Sequence, residues 1–540
     1  MIKGISRIAM AGALCAAGFC GQAVAAQDVP SSAPNIILII ADDVGLDMTP
    51  GMYPGLISDL SRQYGPEGRD HPDVARIAGH PASTPVLDKL ASQGMVFANA
   101  WAQPFCSPTR ASMLTGLFAA NTHVATYADA LSQQHDSFVR RLHEAGGYST
   151  GVFGKWHMAG LPGRDGAPDY PGMKPLEAGF ESFRGNMHAA LPTFWEYDVH
   201  VQDASTAPGE WLTLEPAERS LPGIAPTTYA GVTKTADTID WIRRQEAENP
   251  DRPWFAWMAF NLAHATINQQ PSAMIVPNAD TLDEPSRAEM EACGGHFGTN
   301  DPGGCSGEAM MRAMTNSMDT MIGQVLATID ELDPNTYVIF VADNGTPMYG
   351  RPGLDFIDNM YITREGRGKG TAFQSGAHVA LTIRGPGITP GTRSDEVVHV
   401  VDLFPTILQL ASLAVPEQVS NSAGDATIPL DGVSLMPILS REAETIRDPR
   451  EDYILTESEN LLADGIKLVG ARNAHYKVVC TGSAEDCVLY DLEADPLEEY
   501  PLEAPASCEG GEAADPESAA WSYCYLTQAV AERSIIAWAP

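Results

Sequence analysis

The sequence predicts an α/β fold: a large mixed, mostly parallel sheet flanked by helices, followed by a smaller C-terminal α+β domain built on an antiparallel sheet. Three observations predict it. Continuous apolar, β-branched runs recur over the first two thirds of the chain, and each ends in polar residues. Such runs mark strands buried on both faces, as in parallel sheets. Stretches with helical periodicity separate them. Past residue 445 the texture changes to short strands and turns. A chain of 540 residues exceeds what one core usually supports, which adds a second, smaller unit to the expectation. The expected division is 1–26, 27–445 and 446–540.

The elements follow in order. Residues 1–26 carry Lys3 and Arg7, an apolar run from Ile8 to Cys20, and Ala23-Val24-Ala25-Ala26. A positive start, a short apolar middle and small residues at the end form a signal peptide too short to span a bilayer. Phe19 stands before Cys20 where lipid attachment would need a small residue. The mature chain is therefore expected to be periplasmic or secreted, with no membrane span. The run from Asn35 to Ala41 ends in Asp42-Asp43, and Gly151-Val152-Phe153 leads into Gly154-Lys155-Trp156-His157. Trp254 to Phe260 runs towards His264, and Tyr337 to Ala342 ends in Asp343-Asn344-Gly345. Helices are expected over Thr84–Ser92, Ser137–Ala145, Thr235–Ala247 and Met310–Leu332. Polar residues at several buried strand ends place one site at the carboxyl edge of the sheet, where open α/β folds bind ligands. In the last unit, Tyr476–Val479 and Val488–Leu492 read as a hairpin.

Charge and cysteine content narrow the function. The chain has 69 acidic and 33 basic residues, a net of −36 that becomes −38 when Lys3 and Arg7 leave with the signal peptide. That field repels nucleic acid and long polyanions. Nine cysteines become seven when Cys15 and Cys20 are removed. Seven is odd, which sets Cys106 apart from three close pairs: Cys293 with Cys305, Cys480 with Cys487, and Cys508 with Cys524. An oxidising compartment allows all three to close. Six cysteines permit about 15 connectivities, of which neighbour pairing is the preferred one.

The segment Cys106-Ser107-Pro108-Thr109-Arg110, continued by Ala111-Ser112-Met113-Leu114-Thr115-Gly116, reads as a helix. Ser107 is expected as the N-cap, Pro108 as the first helical residue and Gly116 as the stop. A cysteine at such a start faces free N–H groups and the positive dipole end, with Arg110 less than a turn away. This makes an anion site with a reactive side chain. Asp42, Asp43, Asp343 and Asn344 add hard oxygen donors that suit calcium or, less well, magnesium. Alternation along an extended Gly-Lys-Trp-His segment points Lys155 and His157 to one side. Lys369 is an isolated cation among glycines, and His188, His200, His296, His378 and His475 are given no role.

These residues resemble the type I sulfatases of the alkaline phosphatase-like superfamily, whose signature is Cys-x-Pro-x-Arg followed by Thr-Gly. Further landmarks are Asp402-Leu403-Phe404-Pro405-Thr406, Asp431-Gly432-Val433-Ser434-Leu435 and Leu489-Tyr490-Asp491-Leu492 with Asp495-Pro496. The resemblance implies that Cys106 is oxidised to formylglycine by a formylglycine-generating enzyme, and that the hydrate is the nucleophile. It implies a cation, usually calcium, held by Asp42, Asp43, Asp343 and Asn344 and touching residue 106. By it Arg110, Lys155 and Lys369 hold sulfate. It further gives His264 the protonation of the departing alcohol, His157 the proton that releases product, and Asp343 a part in activating the attacking hydroxyl. Two departures stand beside the site: Ser375-Gly376-Ala377-His378-Val379-Ala380 where the family has Glu-Gly-Gly and Arg-Val-Pro, and Ala263 where it has Pro. The expected activity is hydrolysis of an aryl or carbohydrate sulfate monoester, small or sparsely sulfated in view of the charge. The alternatives are a phosphonate monoester or phosphodiester hydrolase of the same superfamily, and a catalytically silent binding protein.

Overall fold

The computed structural model describes residues 33–162, 170–207, 209–266, 274–347, 360–362, 367–460, 465–510, 513 and 515–538. The expected signal peptide, 1–26, lies outside them. The first strands are β1 (Asn35–Ala41), β2 (Met95–Trp101), β3 (Ser149–Lys155), β4 (Ser182–Asn186), β5 (Val199–Gln202) and β6 (Leu212–Leu214). A hairpin of β7 (Arg219–Leu221) and β8 (Ile224–Thr227) precedes β9 (Trp254–Ala259), β10 (Thr336–Ala342), β11 (Leu381–Arg384) and β12 (Thr392–His399). Ten of these form one sheet in the order β12-β2-β11-β10-β1-β9-β3-β4-β5-β6. Its centre, β10-β1-β9-β3-β4, is parallel throughout. Antiparallel β11 joins it to the parallel pair β2 and β12, and β5 and β6 run antiparallel at the other edge.

The apolar runs explain the centre. Every residue of β1 and β9 is buried, so both faces must be covered by helices, and parallel strands need such crossovers. The covering helices include Pro85–Gln93, Phe138–Glu144, Ala230–Glu248 and Gly307–Leu332. Ser137 and Ser306 cap two of them by accepting from Val139 N and Ala309 N. The expected helix at Thr235 starts five residues earlier, at Ala230. Strand β3 lies so close to its neighbours that a Cβ at Gly154 would stand 1.9 Å from Ala259 O.

After the small hairpin β13 (Gln418–Ser420) and β14 (Thr427–Pro429), the chain forms a four-stranded antiparallel meander. Its strands are β15 (Ile454–Asn460), β16 (Ile466–Arg472), β17 (Tyr476–Thr481) and β18 (Cys487–Asp491). The expected hairpin is β17–β18, with Cys480 opposite Cys487. The disulfides are Cys293–Cys305, Cys480–Cys487 and Cys508–Cys524, while Cys106 is free and buried. The second apolar core joins Val469, Val478, Leu489 and Leu526 to Trp101, Phe118 and Val401, so it is shared with the large sheet. Among the described residues no helix is long and apolar enough to cross a membrane.

Glu457 on β15 is a buried bolt across this junction. It accepts from Ala120 N at 3.2 Å and from Ile535 N at 2.9 Å, and burial pushes its carboxyl up to about 8 from 4.5. A raised folded-state value means that the folded chain keeps a proton which the unfolded chain has released. Stability from this group is therefore full below pH 4.5 and is lost as pH rises towards 8. Glu457→Gln should flatten the fall in urea midpoint between pH 5 and pH 8, and equal slopes in the two proteins would exclude this role.

Candidate active site

The carboxyl ends of four adjacent parallel strands meet at one place. β10 delivers Asp343 and Asn344, β1 delivers Asp42 and Asp43, β9 leads to Asn261 and His264, and β3 ends in Lys155. The sheet ladder runs on past the strand ends, with Asp42 N donating to Leu262 O and Asp343 N to Ala41 O. The helix Cys106–Thr115, buried along its whole length, brings Cys106 and Arg110 to the same place. Its cap differs from expectation: Phe105 is the N-cap and Pro108 the third helical residue. Ser107 lies inside the first turn because its hydroxyl donates to His157 O at 2.5 Å instead of to its own helix end. Gly116 ends the helix as expected, at φ +71°.

Three buried ion pairs organise the site. Lys155 Nζ donates to both oxygens of Asp42, at 2.9 and 2.8 Å. Lys369 Nζ lies 2.6 Å from Asp43 Oδ1. Arg110 sends Nε and Nη2 to Asp343 Oδ2, at 3.1 and 2.8 Å, and Nη1 to Lys155 O at 2.7 Å. Burial raises the Asp43 carboxyl, yet Lys369, His264, Lys155 and the Asn344 amide outweigh it and hold it at about 2. Burial and the charge of Asp42 push Asp343 up to about 6 against Arg110 and Lys155. Burial also pushes the Cys106 thiol up to about 12, despite Lys155 and Lys369. The unmodified thiol is thus protonated at neutral pH, and a thiol is a far weaker nucleophile than a thiolate.

Both predicted histidines enter the site. His264 Nδ1 donates to Ala265 O at 2.5 Å, which leaves Nε2 as the working nitrogen, 3.9 Å from Asp43 Oδ2. Burial pulls it down to about 3. His157 Nε2 donates to Tyr127 O at 2.7 Å, and its Nδ1 is buried without a hydrogen-bond partner among the described residues. The alternation argument for His157 does not hold, because β3 stops at Lys155 and His157 takes φ +57°. Asp43 is also left-handed, at φ +62°. Sparse backbone conformations of this kind cost roughly 1–3 kcal/mol and persist where surrounding structure enforces them.

The donor set fits a hard cation. Ligand atoms of Asp42, Asp43, Cys106 and His264 lie within 4.8 Å of one another. Asn344 spends Nδ2 on Asp43 Oδ1 and Gly345 O, leaving Oδ1 buried without a donor among the described residues. An orphaned carbonyl-type oxygen beside two carboxylates is what calcium or magnesium takes. The sequence expectation was Asp42, Asp43, Asp343, Asn344 and Cys106; the cluster holds Asp42, Asp43 and Cys106 and adds the His264 imidazole, while Asp343 stands outside it, accepting from Arg110 and from Asp43 N.

Spacing alone could not reveal Lys234. Its amine, on the helix Ala230–Glu248, donates to Asn186 Oδ1 at 2.8 Å and to Asn261 Oδ1, tying the ends of β4 and β9. Burial pulls it down to about 7. His188, given no role from sequence, lies beside His157 with ring centroids 6.4 Å apart. His378 is structural, hydrogen-bonded to Gln374 and Ala98 O and stacked on Trp101. Tyr197 is a core residue bonded to Thr233.

A free cysteine ringed by buried cations and cation-binding oxygens, at the carboxyl edge of a parallel sheet, defines a site for anionic esters. The chain belongs to the sulfatase family, whose family model matches residues 34–413. N-acetylgalactosamine-6-sulfatase of the dog, Canis lupus familiaris, is 27% identical over 425 residues, covering 75% of this chain and 66% of that protein. The chain thus spans just under two thirds of that relative's length. A sulfatase from Pseudoalteromonas sp. shares the fold, with a TM-score of 0.57 and 18% identity over 87% of this chain and 86% of its own. So does the phosphonate monoester hydrolase of Agrobacterium radiobacter, at 0.54 and 21% over 93% and 95%.

Removing one partner of a buried ion pair strands the other charge. Arg110→Ala should therefore destabilise the protein by about 3–5 kcal/mol, read as a lower urea midpoint. A loss under about 1 kcal/mol, the scale of an exposed pair, would mean that Asp343 is neutral or hydrated there.

Proposed function

We propose that this protein is an exported sulfatase that hydrolyses an aryl or carbohydrate sulfate monoester to alcohol and inorganic sulfate, with Cys106 converted to formylglycine before folding. One observation carries the proposal: the single free cysteine among the described residues is buried beside Lys155, Lys369, Arg110, His264 and the Asp42–Asp43 carboxylates. Formylglycine at this position supplies, as its hydrate, the oxygen nucleophile that the buried thiol does not. Lys155, Lys369 and Arg110 are each already matched by a carboxylate, so a divalent cation, calcium by the donor set, would add positive charge for an anionic ester, and Asp42, Asp43, Asp343 and Asn344 would hold it.

The chain's own groups then divide the work. Lys155 and Lys369 hold sulfate oxygens, and Arg110 fixes Asp343 and the carbonyl of Lys155. His264 keeps one proton on Nδ1, held by Ala265 O, and takes a second on Nε2 when the negative charge of a bound ester favours the imidazolium that burial disfavours in the free protein. Its role is to protonate the departing oxygen. His157 has Nε2 committed to Tyr127, so Nδ1 is the atom that accepts a proton. The dog relative's name places its substrate among sugar sulfates, and the net charge of −36 favours small or sparsely sulfated esters here. A phosphonate monoester or phosphodiester hydrolase is the second reading, favoured by the fold shared over 93% of the chain with such an enzyme. A silent binding protein would have no use for this complete set of groups.

Sulfate release from aryl and sugar sulfates should exceed phosphonate monoester turnover; the reverse ranking would select the second reading. Peptide mass spectrometry of active protein should find the aldehyde in place of the Cys106 thiol, and full activity with an intact thiol would overturn the nucleophile. Asp43→Ala should lose bound calcium in metal analysis. His264→Ala should cost ~10² to 10⁴ in rate on alkyl or sugar sulfates and much less on nitrophenyl sulfate, whose anion leaves unaided. Equal losses on the two would remove the proton from His264.

A further inference from the structure

Lys369 is placed differently from the other site cations. Lys155 ends a strand and Arg110 sits in a helix, whereas Lys369 stands between Gly368 and Gly370, both left-handed at φ +98° and +88°. Its loop has no strand ladder to hold it: Lys369 N donates to Thr346 O at 3.0 Å, and further supports come from the C-terminal region. Glu498, fully buried, grips both ends of the loop: its Oε2 accepts from Gln374 N at 2.7 Å and its carbonyl accepts from Arg367 Nη2 at 2.8 Å. Arg367 Nη1 also donates to Leu497 O at 3.1 Å. The second oxygen of Glu498 accepts from Lys477 Nζ on β17 at 2.6 Å, a pair with no solvent exposure on either side. Ser458 on β15 donates to Gly370 O at 3.0 Å, and Gly370 N donates to Pro104 O, two residues before Cys106.

We propose that Glu498 is a positioning residue of the active site: through the simultaneous hold of its carboxylate on Gln374 N and Lys477 Nζ it fixes the loop that sets Lys369 against Asp43. The C-terminal sheet is on this view a template for one wall of the sulfate site. The inference rests on the sulfatase reading, since Lys369 is given its task there. A loop displaced by about 1 Å can cost on the order of 10²-fold in rate, and a merely structural bolt would instead lower stability while leaving the coupling to Lys369 at zero.

The experiment is a double-mutant cycle on the full-length, formylglycine-bearing protein with Glu498→Gln, Lys369→Ala and both together. Two quantities are read: kcat/KM on nitrophenyl sulfate, and the Kd of inorganic sulfate, which needs no turnover. Glu498→Gln alone should lose about 10- to 100-fold in kcat/KM and weaken sulfate binding. In the Lys369→Ala background the same change should add less than about two-fold to either quantity. Equal losses in both backgrounds would overturn the proposal, because Glu498 would then act on the fold at large. If Glu498→Gln does not fold, Ser458→Ala removes one hydroxyl from the same loop and is put through the same cycle, with the same two outcomes. A wild-type protein that neither releases nor binds sulfate would overturn the sulfatase reading and this inference with it, whereas additive losses in an active wild type overturn the inference alone.

Discussion

Burial of matched opposite charges is the constraint on which the rest of the site depends. Asp42 with Lys155, Asp43 with Lys369 and Asp343 with Arg110 sit side by side where almost no solvent reaches. Taking any one of these ions out of water costs several kcal/mol, and only a partner at hydrogen-bond distance offsets it. Each pair also joins separate pieces of chain. The first ties β1 to β3, the second ties β1 to the loop after Gly368, and the third ties β10 to the helix that begins at Cys106. The buried cations of the site are therefore also the groups that hold the strand ends together.

The parallel centre of the sheet makes this possible. Because β10, β1, β9 and β3 run the same way, their last residues lie in a row, and polar groups that could not be buried singly are buried together. Backbone bonds carry the row beyond the strands, through Asp42 N to Leu262 O and Asp343 N to Ala41 O. Asp43 and His157, each two residues past the end of its strand, are both left-handed. Gly154 and Gly185 face each other across β3 and β4 with no room for a Cβ, which lets Lys155 emerge close to its neighbours.

Much of this was legible in the sequence, for a reason that particular residues show. Asp42-Asp43 and Asp343-Asn344 follow uninterrupted apolar runs, so their place at strand ends is a local fact. The three disulfides are local as well, spanning 12, 7 and 16 residues. Ser107 was misplaced because a competing acceptor, the His157 carbonyl, lies 50 residues away. His157 reached the site by a turn rather than by strand alternation, and nothing in Gly-Lys-Trp-His announces that turn. Lys234 stayed hidden for a topological reason: its two asparagine partners become neighbours only once β4 and β9 flank β3. A lone lysine in a helix gives no hint of it.

The two lysines are held in contrasting ways. Lys155 takes its position from the β3 ladder, to which Arg110 adds a bond to its carbonyl. Lys369 sits on a segment whose glycines buy the approach to Asp43 at the cost of backbone freedom. Such a segment is ordered only if other groups take up its polar atoms. Thr346 and Pro104 accept from Lys369 N and Gly370 N, Ser458 donates to Gly370 O and Glu498 accepts from Gln374 N, and the last two belong to the C-terminal unit. Trp101 closes the connection: it ends β2, five residues before Cys106, and Lys477 and Arg472 lie over its ring at 4.4 and 5.0 Å. The meander is in this way continuous, through one tryptophan and one carboxylate, with the segments that carry Cys106 and Lys369.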